Sequence, residues 1–437
     1  MKIPVLHLTD DLRVGGVAHV MQGLCHLADT RYFEPMILGL SGFESFAKSL
    51  NKRGVRSYIV GKGLEGLGEI IPRGKAFAAV IHRSGESSPL WSHALKTLKK
   101  HGAKAILERS VFGYPDKTDA GKISDHIFCN SKDTLLKHWH MMGEPDIADY
   151  LKKYRTIYNP VDYGQEPASM VLLRKKFREK QNIPADAFVL GDIARPDFRI
   201  DYMLPAIFPR LLAEIPNLYV LTRRFPDVLA KPMAAIGGDR YMNLKLTHDA
   251  DELLETYAGM DVLTHFCSMG ESFGMAIAEA MCCGKPVIVN RTPQQKLRNA
   301  QVELVEDQVN GLVVENVFEA YQAIKKLAED KSYYQGLSEK AKVRFNDAPF
   351  SKACVISQWE DAIDQVFARK GIDLGREKSD TVVQPSLASL THMLSKGSLY
   401  HPKALASYPL SEWRWMIQAK TKCFHWQVKR KLMRWAS

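Results

Sequence analysis

The 437-residue chain contains no run of eighteen apolar residues, so no membrane-spanning helix is expected. Its first residues, Met1 to Thr9, enter a strand-like run at once, and that apolar stretch is too short and too early for a signal peptide. Cysteine is sparse. The seven residues show neither zinc-site spacing nor a disulfide framework, and adjacent Cys282 and Cys283 cannot grip one metal together. An odd count without a framework fits a reduced, cytoplasmic protein. No internal repeat and no RNA-binding motif is present, so nucleic acid is not expected as a partner.

What is present is an ordinary globular balance, 46% hydrophobic and 25% charged, with a net charge of +11. The length allows two domains with large cores. Strand-like runs at Ile3 to Leu8, Pro35 to Leu40, Arg56 to Val60, Phe77 to His82, Lys104 to Leu107 and Ile127 to Phe128 alternate with helical runs. A second series follows at Phe188 to Ile193, Leu218 to Thr222, Leu244 to Leu246, Val262 to Thr264, Val287 to Val289 and Leu312 to Val314. This alternation predicts two α/β, doubly wound, Rossmann-like lobes with ligands beyond the carboxyl ends of their strands, in a cleft between the lobes. The expected division is 1–165 for the first lobe, 166–370 for the second and 371–437 for a tail.

The most informative stretch runs from Ser268 to Asn290. Gly270 and Gly274 bracket a tight loop, Met275 to Met281 is a run of good helix formers, and Gly284 and Pro286 end it before a buried strand. Glu271 and Glu279 lie eight residues apart. With a helix from about Ser272, Glu271 would stand at its mouth and Glu279 two turns on, roughly 80° around the axis. A helix N-terminus suits phosphate, and carboxylates suit sugar hydroxyls, so both could serve one nucleotide sugar. An ordinary loop–helix–strand unit with two surface glutamates accounts for the spacing equally well.

Glu271, Ser272-Phe273-Gly274, Glu279-Ala280-Met281, Gly284 and Pro286-Val287-Ile288 together resemble glycosyltransferase family 4, retaining nucleotide-sugar enzymes of the GT-B fold. Gly15-Gly16 resembles the family's N-terminal glycine pair, and Cys129 to Lys132 its strand-end serine region. Tyr158 to Asp162 and Val309 to Val313 resemble the Asn-Gly-Val-Asp and Asn-Gly-Leu-Leu-Val stretches. The likeness covers about residues 1–368.

The resemblance implies a transferase that moves a sugar from a nucleotide diphosphate to a glycan or lipid-linked acceptor with retention, in surface polysaccharide or glycolipid assembly. It implies that Glu271 holds the transferred sugar and Glu279 the ribose. Gly15, Gly16 and the backbone of Phe273, Gly274 and Met275 would then face the phosphates. Arg195 and Arg199 are the candidates for the cations that stabilise a diphosphate leaving group. Arg223 and Arg224 could add to that clamp or lie at the surface. No cofactor and no metal is implied, and no Asp-x-Asp pair or His cluster convincingly suits a divalent cation. The alternatives are a non-catalytic protein that binds a glycan or nucleotide sugar, and a transferase acting on a small soluble acceptor.

Many family members carry a histidine facing the donor sugar, where this chain has Ile106 to Phe112. Glu108 and Arg109 occupy that neighbourhood, and His82 is the nearest strand-end histidine, so these three are the acceptor-side candidates. Residues 376–437 hold eleven Lys or Arg against three acidic residues, and four of the seven tryptophans. Glu412 to Trp435 can form a basic amphipathic helix. It would bring residues 401–437 to an anionic membrane surface, giving a peripheral position on the inner face, or dock on the protein's own lobes.

Overall fold

The computed structural model describes residues 2–377 apart from 14, 86–88, 117–118, 164–166, 194–202, 248, 268–269 and 292–298. The chain forms two compact units. Of the described residues, one unit comprises 2–162 together with 345–377, and the other is built on Tyr163–Arg344.

The first unit is a seven-stranded parallel sheet. Its strands are β1 (Ile3–Thr9), β2 (Phe33–Gly39), β3 (Ser57–Ile59), β4 (Phe77–Arg83), β5 (Ala103–Ser110), β6 (His126–Cys129) and β7 (Tyr154–Thr156), in the order β3-β2-β1-β4-β5-β6-β7. β1 and β4 are buried along their whole length. That is why they read as continuous apolar runs rather than alternating ones. Helix Gly16–Leu27 follows β1 and buries Ala18, Val20, Met21, Leu24 and Cys25, spaced as one helical face. Leu6, Leu8, Leu38, Ile81, Trp91 and Leu95 share one core cluster.

Expectation and structure differ at the C-terminal border. Residues up to 370 were expected in the second lobe, yet the chain rejoins the first unit at Phe345. Helix Lys352–Arg369 buries Val355, Trp359, Ile363, Val366 and Phe367 along one face. Trp359 packs on Phe128 of β6 at 4.7 Å between ring centroids, and Glu360 accepts the Asp29 N–H at 2.7 Å. The apolar spacing of this helix therefore completes the first sheet.

The second unit is a six-stranded parallel sheet of β8 (Phe188–Asp192), β9 (Leu218–Arg223), β10 (Tyr241–Leu244), β11 (Val262–His265), β12 (Val287–Asn290) and β13 (Leu312–Val314). Their order is β10-β9-β8-β11-β12-β13, again with every pair parallel. Asp249 caps helix Ala250–Gly259 by accepting from Asp251 and Glu252, and Asn316 caps Val317–Glu329 by accepting from Phe318 and Glu319. Leu204, Ile207, Phe208 and Leu211 of one helix and Ile324 of another share a core with Val220 and Ile288 of the sheet.

In each unit the strand order reverses beside its first strand, between β1 and β4 and between β8 and β11. Open sheets of this kind place ligands outside the carboxyl ends at that reversal. Among the described residues no helix is long and apolar enough to cross a membrane.

Candidate active site

β11 ends at His265, and the chain then turns through Gly270 and Gly274 into helix Met275–Cys282. Both glycines have positive φ, 67° and 98°, in the region where a side chain strains the backbone. Gly274 is the residue before the helix, so the helix starts at Met275 and not near Ser272. Glu271 accordingly lies in the loop, three residues ahead of Gly274, and the 80° relation expected for one continuous helix does not apply. Phe273 is buried beneath the loop, whereas Met275 is only partly covered.

Glu271 is held from several sides. His265 Nε2 donates to Glu271 Oε1 at 3.0 Å, the Glu271 N–H reaches Gln301 Oε1 at 3.0 Å, and the Ala300 N–H reaches the Glu271 carbonyl at 3.2 Å. Gln301 Nε2 in turn donates to the Asn290 carbonyl at 3.0 Å. Asn290 clasps Cys267, accepting its N–H at 2.7 Å and donating to its carbonyl at 3.1 Å. The ends of β11 and β12 and the helix beginning at Gln301 thus hold Glu271 in place, leaving its side chain 19% exposed.

Glu279 is more deeply set, 6% exposed, and its Oε2 accepts from Tyr257 Oη at 2.7 Å. Burial lifts its carboxyl to about 7, opposed by that hydrogen bond. Lys285, just past the helix, donates to the Ala258 carbonyl at 3.1 Å, and burial lowers its ammonium to about 8. Asp192 is buried at the end of β8. Arg195 and Arg199 lie outside the described residues.

Arg223 is committed inside the unit. It bonds the Lys245 carbonyl, Glu252 and Thr256 Oγ1 at 2.6, 3.1 and 2.6 Å, so it braces β9 and its neighbouring elements. Arg224 is exposed with φ 52°.

In the first unit Gly15 precedes helix Gly16–Leu27 in extended backbone, φ 166°. Among the described residues, chain neighbours aside, no atom would lie within 4 Å of an added Cβ at Gly15.

The three acceptor-side candidates are all buried. His82 Nε2 lies 3.1 Å from His7 Nδ1, and its ring tilts against Trp359 at 6.4 Å. Burial, then the charges of His7 and Arg109, hold His82 well below the usual imidazole range, so it stays neutral. Glu108 is 1% exposed and accepts from Arg83 Nε and Nη2 at 2.6 and 2.5 Å. Arg109 Nη2 donates to Asn159 Oδ1 at 2.5 Å. Helix Lys352–Arg369 packs on the face of the sheet that carries His82 and Arg109, while Glu108, on the opposite face, is closed off by its pairing with Arg83. Ser131 caps helix Lys132–Met141 in a reciprocal pair with Thr134.

His265, Gln301 and Tyr257 were not singled out from sequence. They lie 6, 30 and 22 residues from the glutamates they hold, on other elements, and no helical or strand period links such positions.

Residues 185–330 match the family model of the glycosyl transferases group 1. No curated protein matches the sequence. Among solved structures, HepE of Anabaena in complex with UDP-glucose matches with a TM-score of 0.64 and 16% identity, over 83% of this chain and 100% of that one. A glycosyltransferase from Rickettsia africae matches with a TM-score of 0.64 and 15% identity, over 84% of this chain and 99% of that one. WaaG, a glycosyltransferase involved in lipopolysaccharide biosynthesis, matches with a TM-score of 0.54 and 13% identity, over 83% and 99%. The chain has the GT-B fold of two Rossmann-like parallel-sheet domains, and the stretch of its second unit that is similar to the glycosyl transferases group 1 model contains Glu271 and Glu279.

Proposed function

We propose that the protein is a retaining glycosyltransferase of family 4. It transfers a sugar from a nucleotide diphosphate donor to a glycan or lipid-linked acceptor, in surface polysaccharide or glycolipid biosynthesis. The observation that carries the reading is the pair Glu271 and Glu279, set on a braced loop and the helix after it at the strand-order reversal of the group 1 domain. HepE with UDP-glucose and WaaG in lipopolysaccharide biosynthesis support a nucleotide-sugar donor and a glycan setting.

In this reading Glu271 accepts hydrogen bonds from hydroxyls of the transferred sugar, and Glu279 from the ribose. The N-terminus of helix Met275–Cys282 and the backbone around Phe273 and Gly274 face the diphosphate, whose charge the helix dipole favours. Arg195 and Arg199 supply fixed cations that stabilise charge developing on the leaving group, and the family resemblance assigns Gly15 and Gly16 to the phosphates as well. No metal cofactor takes part, and the leaving phosphate is the base for the acceptor hydroxyl. The buried positions of His82, Glu108 and Arg109 favour leaving them out of the acceptor site. The protein acts at the cytoplasmic side, with residues 401–437 as its contact to an anionic membrane surface.

Substituting Glu271→Gln keeps the size of the side chain and removes its charge. With UDP-, GDP- and ADP-sugars offered separately, turnover is expected to fall at least a hundredfold, in the range lost with one transition-state contact. Wild-type turnover in the variant, with donor bound normally, would remove Glu271 from the reaction.

A further inference from the structure

Glu279 carries a hydrogen bond that the donor reading does not by itself require. Tyr257, on helix Ala250–Gly259, is 1% exposed, and its hydroxyl is directed at Glu279 Oε2 at 2.7 Å. The ring is fixed in turn. Tyr163 packs against it edge to face, 5.8 Å between centroids at 83°. A carboxylate's terminal torsion is broad when nothing holds it. Here one oxygen is taken by a donor from a separate helix, so the plane of the group is set and Oε1 is left for a ligand.

We propose that Tyr257 is a positioning residue of the donor site, holding Glu279 as an oriented anion whose Oε1 accepts a hydroxyl of the nucleoside. The proposal rests on the assignment of Glu279 to the nucleotide made above. A phenolic O–H favours the ionised carboxylate, whereas burial favours the protonated one, and the two leave Glu279 at about 7. Among the described residues the other titratable groups facing Glu279 are Tyr163 and Cys283, both pushed up by burial and neutral near pH 7. Hydroxyl recognition by Glu279 therefore weakens as pH falls through neutrality, and Tyr257 sets where that happens. Loss of its hydroxyl moves the midpoint to higher pH.

The test uses the full chain and three probes, UDP-glucose, GDP-mannose and ADP-glucose, whose bridged diphosphates do not titrate between pH 5.5 and 9. Affinity is measured by calorimetry across that range for wild type, Tyr257→Phe and Glu279→Gln. Wild-type binding of the accepted probe is expected to weaken on acidification with a midpoint near 7. Y257F is expected to bind roughly tenfold more weakly at pH 7, the size of one hydrogen bond to a charged group, with its midpoint at higher pH. In turnover its donor KM rises about as much, while kcat falls less than threefold. E279Q is expected to bind weakly at every pH. Affinity and midpoint in Y257F matching wild type, with E279Q impaired, overturn the role of Tyr257 alone. Wild-type binding by E279Q, or no binding of any probe by wild type, overturns the nucleotide assignment and this proposal with it. Should Y257F fail to fold, Tyr163→Leu loosens the Tyr257 ring without touching its hydroxyl. A smaller shift in the same direction is expected, and a folded variant without one overturns the proposal.

Discussion

Replacing Arg83 by methionine should cost the first unit several kcal/mol and make its stability depend on pH. The Arg83 and Glu108 side chains are each 1% exposed. Arg83 also donates to the carbonyls of Gly85 and Tyr114, at 2.7 and 2.5 Å, and Ser124 Oγ reaches Glu108 Oε2 at 3.4 Å. Removing one partner of such a buried pair leaves an uncompensated charge and typically costs about 3–5 kcal/mol. For a unit of this size each kcal/mol lowers the melting point by about 2–4 °C, so the loss is roughly 6–20 °C. Burial already raises the Glu108 carboxyl, and the Arg83 charge opposes it. Without Arg83 the folded-state value rises further. A carboxyl raised in the folded state keeps its contribution below the unfolded value and loses it as pH climbs through the folded one. The R83M deficit should therefore be smaller near pH 5 than near pH 8, where the uncompensated charge adds to the loss of the donors to the Gly85 and Tyr114 carbonyls. Urea melts at both values, followed by tryptophan fluorescence, give the difference. Arg83→Met combined with Glu108→Leu should recover much of the loss, because no buried charge remains. A deficit below about 1 kcal/mol at pH 8 would refute the accounting. A Glu108→Gln variant that melts like wild type but loses acceptor turnover would return Glu108 to the site.

Lys285→Met should abolish a rise in wild-type stability between pH 8 and 10. Burial holds the folded ammonium at about 8, so above that pH the unfolded chain binds the extra proton. The wild-type gain relative to K285M should reach at most about 3 kcal/mol, and parallel stability curves for the two proteins would contradict the assignment. For the membrane contact, co-sedimentation with vesicles containing anionic lipid should fall severalfold on removal of residues 401–437. Equal pelleting with and without them would exclude that contact.

Much of the fold was legible because parallel strands buried on both faces leave unbroken apolar runs, as in Val287 to Val289 and Leu312 to Val314, which the structure contains as expected. Short edge strands were less so. β7, Tyr154–Thr156, carries no apolar run, and β10 is Tyr241–Leu244 rather than Leu244 to Leu246. Tyr241 anchors β10 through its hydroxyl, 2.9 Å from Thr222 Oγ1 on β9, a contact across nineteen residues that leaves no periodic trace. The two glutamates were visible as a spaced pair, but their braces were not, since His265 and Tyr257 become neighbours only through the tertiary fold. Polarity also misled. Arg109 looks like a surface residue until helix Lys352–Arg369, almost 250 positions later, packs on the face of the sheet that carries it, and Glu108, on the opposite face, is buried with Arg83.

That late helix has a consequence for synthesis. Among the described residues the second unit is one continuous segment, Tyr163–Arg344, inserted in sequence between the two segments of the first. A growing chain can finish the inner unit while the outer one still lacks the helix bearing Trp359. At about 5–20 residues per second, the roughly 200 residues between β7 and that helix take some 10–40 s to emerge. Throughout that interval Phe128 and His82, the residues Trp359 packs against, stay uncovered. The outer unit is thus the half of the nascent protein most exposed to chaperones, and any truncation that spares the whole second unit but removes residues 352–369 would leave that half unfinished.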